Sequence, residues 1–301
     1  MARQMLAQVP FVAFEAAHLA ALGAILLAAA ALALLLRLLR GGPGERVARA
    51  SVCLGLAAVI VAVELIEHVW SAFAGLWSLE RSLPLHLCDF AMFAAVVALL
   101  ASAFGRQPSA WPGVGDPRAK PVACAPGSAG QVDQRQPAAA EGAKPVACAP
   151  GSAGGSRAQN GPAIAYELAY FWALGGSTQA VLTPELESGF PHPAFVVFFT
   201  SHGAVLVAVA ILTIGLGLRP RRGALLRTWA VTNALAAIVA GVNWLIAANY
   251  MYLCGPPLRP SLYDYFGPWP WSLLTLEAVG TLVLALLYAP FWIADRRRRS
   301  G

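Results

Sequence analysis

Seven stretches of this chain run for about 20 residues with scarcely a charge, at 17–39, 47–70, 84–104, 164–183, 194–218, 224–248 and 271–294. A helix of about that length crosses roughly 30 Å of hydrocarbon at about 1.5 Å rise per residue. Only 12% of the 301 residues are charged, about half the share of a soluble domain. The runs are rich in Ala, Leu and Gly and lack period-2 alternation. That selects helices, which satisfy their own backbone in lipid, over barrel strands. The sequence therefore predicts an all-α fold, a polytopic membrane helix bundle with seven transmembrane helices. The first run lacks the order of a cleaved signal peptide, and Arg37 and Arg40 follow it as a stop-transfer pattern would. Gly175, Gly176, Gly215, Gly217 and Gly241 are expected to let helices approach closely. The fourth run, with Tyr166, Glu167 and Gln179, is the most polar and is expected to face the bundle interior.

Basic residues give the bundle a direction. Of 21 Lys and Arg, 18 fall in the first, third and fifth loops and the C-terminal tail, leaving Arg3, Arg81 and Arg259 for the other side. Positive loops stay in the cytoplasm. The expected topology has the N-terminus out and the C-terminus in, which needs an odd number of spans. The net charge of +6 thus reads as topology and anionic-lipid contact in a multi-pass plasma-membrane protein, with no nucleic acid as partner.

The third loop is unlike its surroundings. Residues 105–162 are rich in Ala, Pro, Gly, Ser and Gln, and a 12-residue segment at 119–130 recurs identically at 143–154. Such a composition buries too little apolar surface to offset ordering entropy. The chain is expected to divide into helices one to three (1–104), a disordered cytoplasmic linker (105–162), helices four to seven (163–295) and a basic tail (296–301). Cys124 and Cys148 are copies 24 residues apart with no CxxC pair, and are expected to stay reduced. Cys53, inside the second run, reads as a small hydrophobe.

Ionisable residues inside a membrane are expensive and suggest function. Here they gather at one depth. Glu64, Glu67 and His68 end the second run, His86, Cys88 and Asp89 begin the third, and Gln179 and Thr183 end the fourth. His202 lies two turns into the fifth, Asn243, Asn249 and Tyr250 close the sixth, and Glu277 lies two turns into the seventh. All fall in the expected outer half, which implies an outward-facing pocket.

Leu83-Pro-Leu-His-Leu-Cys-Asp89 is its sharpest element. Pro84 suits a first helical turn, and Asp89 suits the positive end of the dipole. His86 and Asp89, at i,i+3, share a face, whereas His86 and Cys88, at i,i+2, do not. A base for Cys88 would come from another helix, and His202 and His68 are candidates, with Glu64 placed at i−4 to orient His68. Three states stay open for Cys88: a nucleophile paired with a histidine, a disulfide with Cys254, or a packed thiol. The aromatic, Pro-rich run from Asn249 to Trp271 reads either as a cap over the pocket or as an interfacial belt.

Several motifs together resemble the YwaF / transmembrane protein 164 family. They are Leu83 to Asp89, Glu167-Leu-Ala-Tyr-Phe-Trp172 and the Gly-Gly-Ser-Thr-Gln-Ala-Val-Leu-Thr-Pro184 that follows, Phe198-Phe-Thr-Ser-His-Gly203, Asn249-Tyr-Met-Tyr-Leu-Cys254 and Gly267-Pro-Trp-Pro-Trp271. The resemblance spans all but the insert. It implies a lipid acyltransferase or transacylase acting on a membrane phospholipid or other acyl lipid, with the acyl group carried on Cys88 and a histidine, His202 or else His86, assisting. Asp89 or Glu64 would orient a histidine, and Asn249 or Tyr250 would donate to an oxyanion. Gln179 and Trp271 would support the site.

Two other classes fit the same residues. Glu64, His68, His86, Asp89 and His202 offer enough N and O ligands for Zn in a membrane lipid hydrolase, although no HxxxH or HExxH pair is present. The catalytic reading needs no cofactor. A transporter or ligand-binding membrane protein would use the polar layer without chemistry.

Overall fold

The computed structural model describes residues 9–105, 160–257 and 262–297. The expected linker and its duplicated segment lie outside these, except that the helix following them already begins at Asn160. Helices α1 (Ala16–Leu38), α2 (Glu45–Phe73) and α3 (Leu87–Phe104) precede the gap. After it, α4 comprises Asn160–Trp172, a π-turn at Ala173–Ser177 and Thr178–Leu182. Then come α5 (Pro193–Gly215, ending in a π-turn at Ile211–Gly215), α6 (Ala224–Ile246) and α7 (Trp271–Arg297). Among the described residues all but α4 are long and apolar enough to cross a membrane. The more polar α4 is nevertheless wrapped by the others, with Tyr166, Glu167, Ala169, Phe171 and Trp172 all buried.

The seven helices run back and forth between two ends. At one end, Pro10 bridges Ser188 and Phe11 N–H donates to Glu187 O at 3.1 Å, so the chain before α1 lies beside the α4–α5 connection. Tyr250, after α6, bonds both Leu79 O and the Leu83 N–H in the α2–α3 connection. At the opposite end, Arg40 reaches Gly215 O at 2.8 Å, Arg49 reaches Gly105 O at 3.3 Å, and Arg219 pairs with Asp295 at 3.3 Å. The alternation expected from the basic loops is thus met. We call these the polar end and the arginine end.

Burial follows position in the bundle. α3, α4 and α5 form the centre, while α1, α2, α6 and α7 turn large apolar side chains such as Leu26, Leu65, Trp244 and Leu286 outward. Such a surface suits lipid rather than water. Gly215 approaches Ala33 and Leu36 of α1 so closely that an added Cβ would lie 3.3 Å from them, and Gly203 leaves even less room against Ile25. Gly241, expected to act likewise, has nothing within 4 Å of such a Cβ. Cys53 is fully buried, as a small hydrophobe would be.

The arginine end is locked by Glu167, only 1% exposed. Its Oε1 accepts from Arg221 Nε at 2.9 Å and Arg227 Nη2 at 2.8 Å, and its Oε2 accepts from Arg227 Nε at 3.0 Å. One carboxylate therefore joins α4, the α5–α6 connection and α6. A buried charge is tolerable only with such pairing.

Candidate functional site

The site assembles around the start of α3. The helix begins at Leu87 with His86 as its N-cap, so Pro84 precedes the helix instead of lying in its first turn. The cause is tertiary, because the Tyr250 hydroxyl accepts the Leu83 N–H at 2.8 Å and donates to Leu79 O at 2.8 Å. Those bonds hold 79–83 in an irregular path. Asp89 then closes the helix start, its Oδ2 accepting the His86 N–H at 2.8 Å, one half of a capping box.

Cys88 is half-buried, and its thiol lies 3.7 Å from Asp89 Oδ1. Asp89 thus binds the helix start with one oxygen and faces the thiol with the other. From α2, Glu64, Glu67 and His68 come close enough to act electrostatically on one another and, through Glu64, Glu67 and His68, on Asp89. His68 Nδ1 bonds Glu64 O at 2.9 Å, so the Glu64 main chain holds the ring where its carboxylate was expected to.

The loop after α6 closes over this region. Asn243, 1% exposed, grips the Tyr250 backbone with both ends of its amide at 2.9 Å. Met251 N–H donates to His86 Nδ1 at 3.4 Å, and the His86 ring stands 5.3 Å from Tyr250 and 5.8 Å from Tyr252. Met251 and Tyr252 both have left-handed backbone, at φ 58° and 55°. Such conformations cost non-glycine residues about 1–3 kcal/mol each and persist where surrounding contacts over-determine them. Tyr252 Oη donates to Glu185 at 2.8 Å. Burial, then the Glu185 carboxylate, hold this phenol well above its ordinary pKa, so it stays a donor. Tyr252 also lies within electrostatic reach of Cys88. Tyr263 and Trp269 tie the far part of the loop to Tyr252 O and Leu253 O. Tyr265 and Trp271, 85% and 67% exposed, face outward. The run after α6 thus has an inner tyrosine cap and an outer aromatic fringe.

Other expected residues have hydrogen-bond partners of their own. His202 is 9% exposed, stacked on Phe198 at 4.2 Å, with Nδ1 bonded to Phe198 O at 3.1 Å and Ser201 Oγ at 3.2 Å. No hydrogen bond joins it to Cys88 among the described residues. Asn249 Nδ2 donates to Gly255 O and its Oδ1 accepts the Cys254 N–H, while the Tyr250 hydroxyl gives its single proton to Leu79 O and so has none for an oxyanion. Gln179 Nε2 donates to its neighbour Thr183 at 2.7 Å. Cys88 and the exposed Cys254 are both free thiols. Among the described residues no three His, Cys, Asp or Glu side chains are grouped to hold a metal ion.

Two groups went unread in the sequence. His18 is fully buried at the start of α1; its Nδ1 accepts the Phe14 N–H at 2.8 Å and its Nε2 bonds Val181 O at 2.8 Å. Nδ1 thus holds the turn before α1 and Nε2 joins α1 to α4, and nothing local marks it. Tyr252 was legible only as one aromatic among several. Residues 13–288 match the TMEM164 family. No curated protein and no solved structure matches the chain.

Proposed function

The chain belongs to the TMEM164 family, and from that premise we propose that this membrane protein is a lipid acyltransferase that carries the acyl group on Cys88. The observation behind this reading is the Cys88–Asp89 contact of 3.7 Å at the capped start of α3, beneath the tyrosine loop. A thiol becomes a nucleophile when a neighbouring base takes its proton. The base offered here is Asp89, in place of the His202 expected from the sequence.

The Cys88 sulfur attacks the ester carbonyl of an acyl lipid while its proton passes to Asp89. The carbon–oxygen bond breaks, the proton returns to the departing alkoxide, and a lysolipid leaves behind a thioester. A hydroxyl of a second lipid attacks the thioester by the reverse route. Glu64, Glu67 and His68 set the charge that Asp89 feels. His86 and Tyr252 line the other side. With the arginine end cytoplasmic, this site opens outward.

Incubation of the purified chain with a clickable acyl phospholipid tests the reading. Hydroxylamine-labile label on the Cys88 peptide, absent from Cys88→Ala, is expected. Equal label on Cys88→Ala ends the covalent proposal.

A further inference from the structure

At the arginine end, on the side of the bundle opposite Cys88, the start of α2 and the end of α3 line an open recess of about 850 Å³. Arg46 and Arg49 both line it, and at i,i+3 they share one face of α2. Arg49 spends Nη2 on Gly105 O at 3.3 Å, but its Nε is buried with no hydrogen-bond partner. A guanidinium never gives up its charge, so both arginines present fixed positive charge to this wall. Ser51 adds a hydroxyl to the same wall. The first turn of α2 adds the positive end of a 29-residue helix. The acidic group in the lining, Glu45, has its Oε2 engaged by the Gly41 N–H at 2.5 Å.

The remaining wall is apolar. Val47 and Phe104, 70% and 75% exposed, and Leu54 continue from the arginines along the lipid-facing side of the bundle. A soluble anion has no use for such a wall, whereas an acyl chain does. We infer that this recess binds the phosphate headgroup of an anionic phospholipid, with the phosphate on Arg46 and Arg49 and a chain along Val47, Leu54 and Phe104. The planar fork of Arg suits a phosphate diester, and basic recesses at a membrane face commonly hold lipid headgroups. The site is independent of the acyl-transfer reading.

Native mass spectrometry of the full chain in a neutral detergent gives the test, with phosphatidylglycerol, phosphatidylcholine and inorganic phosphate as probes. Phosphatidylglycerol is expected to bind at least about tenfold tighter than phosphatidylcholine. Arg49→Gln and Arg46→Gln should each weaken it by about tenfold, the range of a charge-assisted hydrogen bond. Cys88→Ala should leave it unchanged. Arg46 is exposed, so Arg46→Gln serves if Arg49→Gln fails to fold. Equal affinity for the two lipids, or undiminished binding by Arg46→Gln, overturns the inference. Displacement of phosphatidylglycerol by millimolar inorganic phosphate overturns the lipid source and assigns a soluble phosphate instead.

Discussion

Asp89 stands between the Cys88 thiol, 3.7 Å from its Oδ1, and the His86 main-chain N–H, 2.8 Å from its Oδ2. One carboxylate thus both starts α3 and faces the sulfur, so its two duties can be separated by substitution. Asp89→Asn keeps an acceptor for the cap and loses the base. Acyl transfer should fall by about 10²–10⁴, the usual worth of a general base, while thermal stability changes little. Asp89→Ala should lose the same activity and a further ~1 kcal/mol of stability through the cap. Lipid-product assays beside thermal melts separate the two. An Asp89→Asn variant with full activity would remove Asp89 from the chemistry.

Tyr250→Phe should act through the cap. The hydroxyl joins Leu79 O and the Leu83 N–H, and its loss leaves two backbone groups without a partner, at about 1–3 kcal/mol. The 79–86 segment should loosen, seen as faster hydrogen exchange at the Leu83 amide. Activity should fall with no change in the pH profile, because Tyr250 touches no reacting atom. An unchanged exchange rate at Leu83 would show that the segment is held by other contacts.

The bundle was legible because length, apolarity and basic loops act locally, and each span is set by its own 20 or so residues. Burial of Glu167 followed from a polar residue in an apolar run, but its partners, Arg221 in the α5–α6 connection and Arg227 in the first turn of α6, were counted only for topology. Glu64, Glu67 and His68 come within electrostatic reach of Asp89, as their places at the facing ends of two successive runs suggested. Rotation about each axis was not legible. His202 shares the expected depth with Cys88, yet its ring is turned onto Phe198. The Tyr250 hydroxyl was a candidate donor, yet Leu79 and Leu83, distant in sequence, take up both its proton and its acceptor capacity. The π-turns in α4 and α5 shift the register of everything beyond them, and no residue pattern announces them.

Glu167→Leu should cost about 3–5 kcal/mol, since it leaves two arginines without their buried partner. Both arginines are about a third exposed, at 34% and 35%, so water recovers part of this and the lower figure is expected. Thermal melts in detergent read it. Glu167→Gln should cost less, because an amide oxygen still accepts from Arg227. A Glu167→Leu protein as stable as wild type would mean that the three-way pairing adds nothing to holding α4 in the bundle.

The exposed Cys254 gives a direct test of orientation and of the thiol state at the polar end. It and Cys88 are free, so neither needs reductant before labelling. A membrane-impermeant maleimide applied to intact cells should label Cys254 quickly and the half-buried Cys88 slowly. Cys124 and Cys148, in the basic third loop, should be labelled only after the membrane is opened. Peptide mass spectrometry with and without permeabilisation distinguishes the four. If Cys124 and Cys148 are labelled in intact cells and Cys254 is not, the bundle is inverted and the Cys88 site faces the cytoplasm. If Cys88 and Cys254 are labelled only after reduction, they form a disulfide in the cell, and Cys88 cannot carry an acyl group in that state.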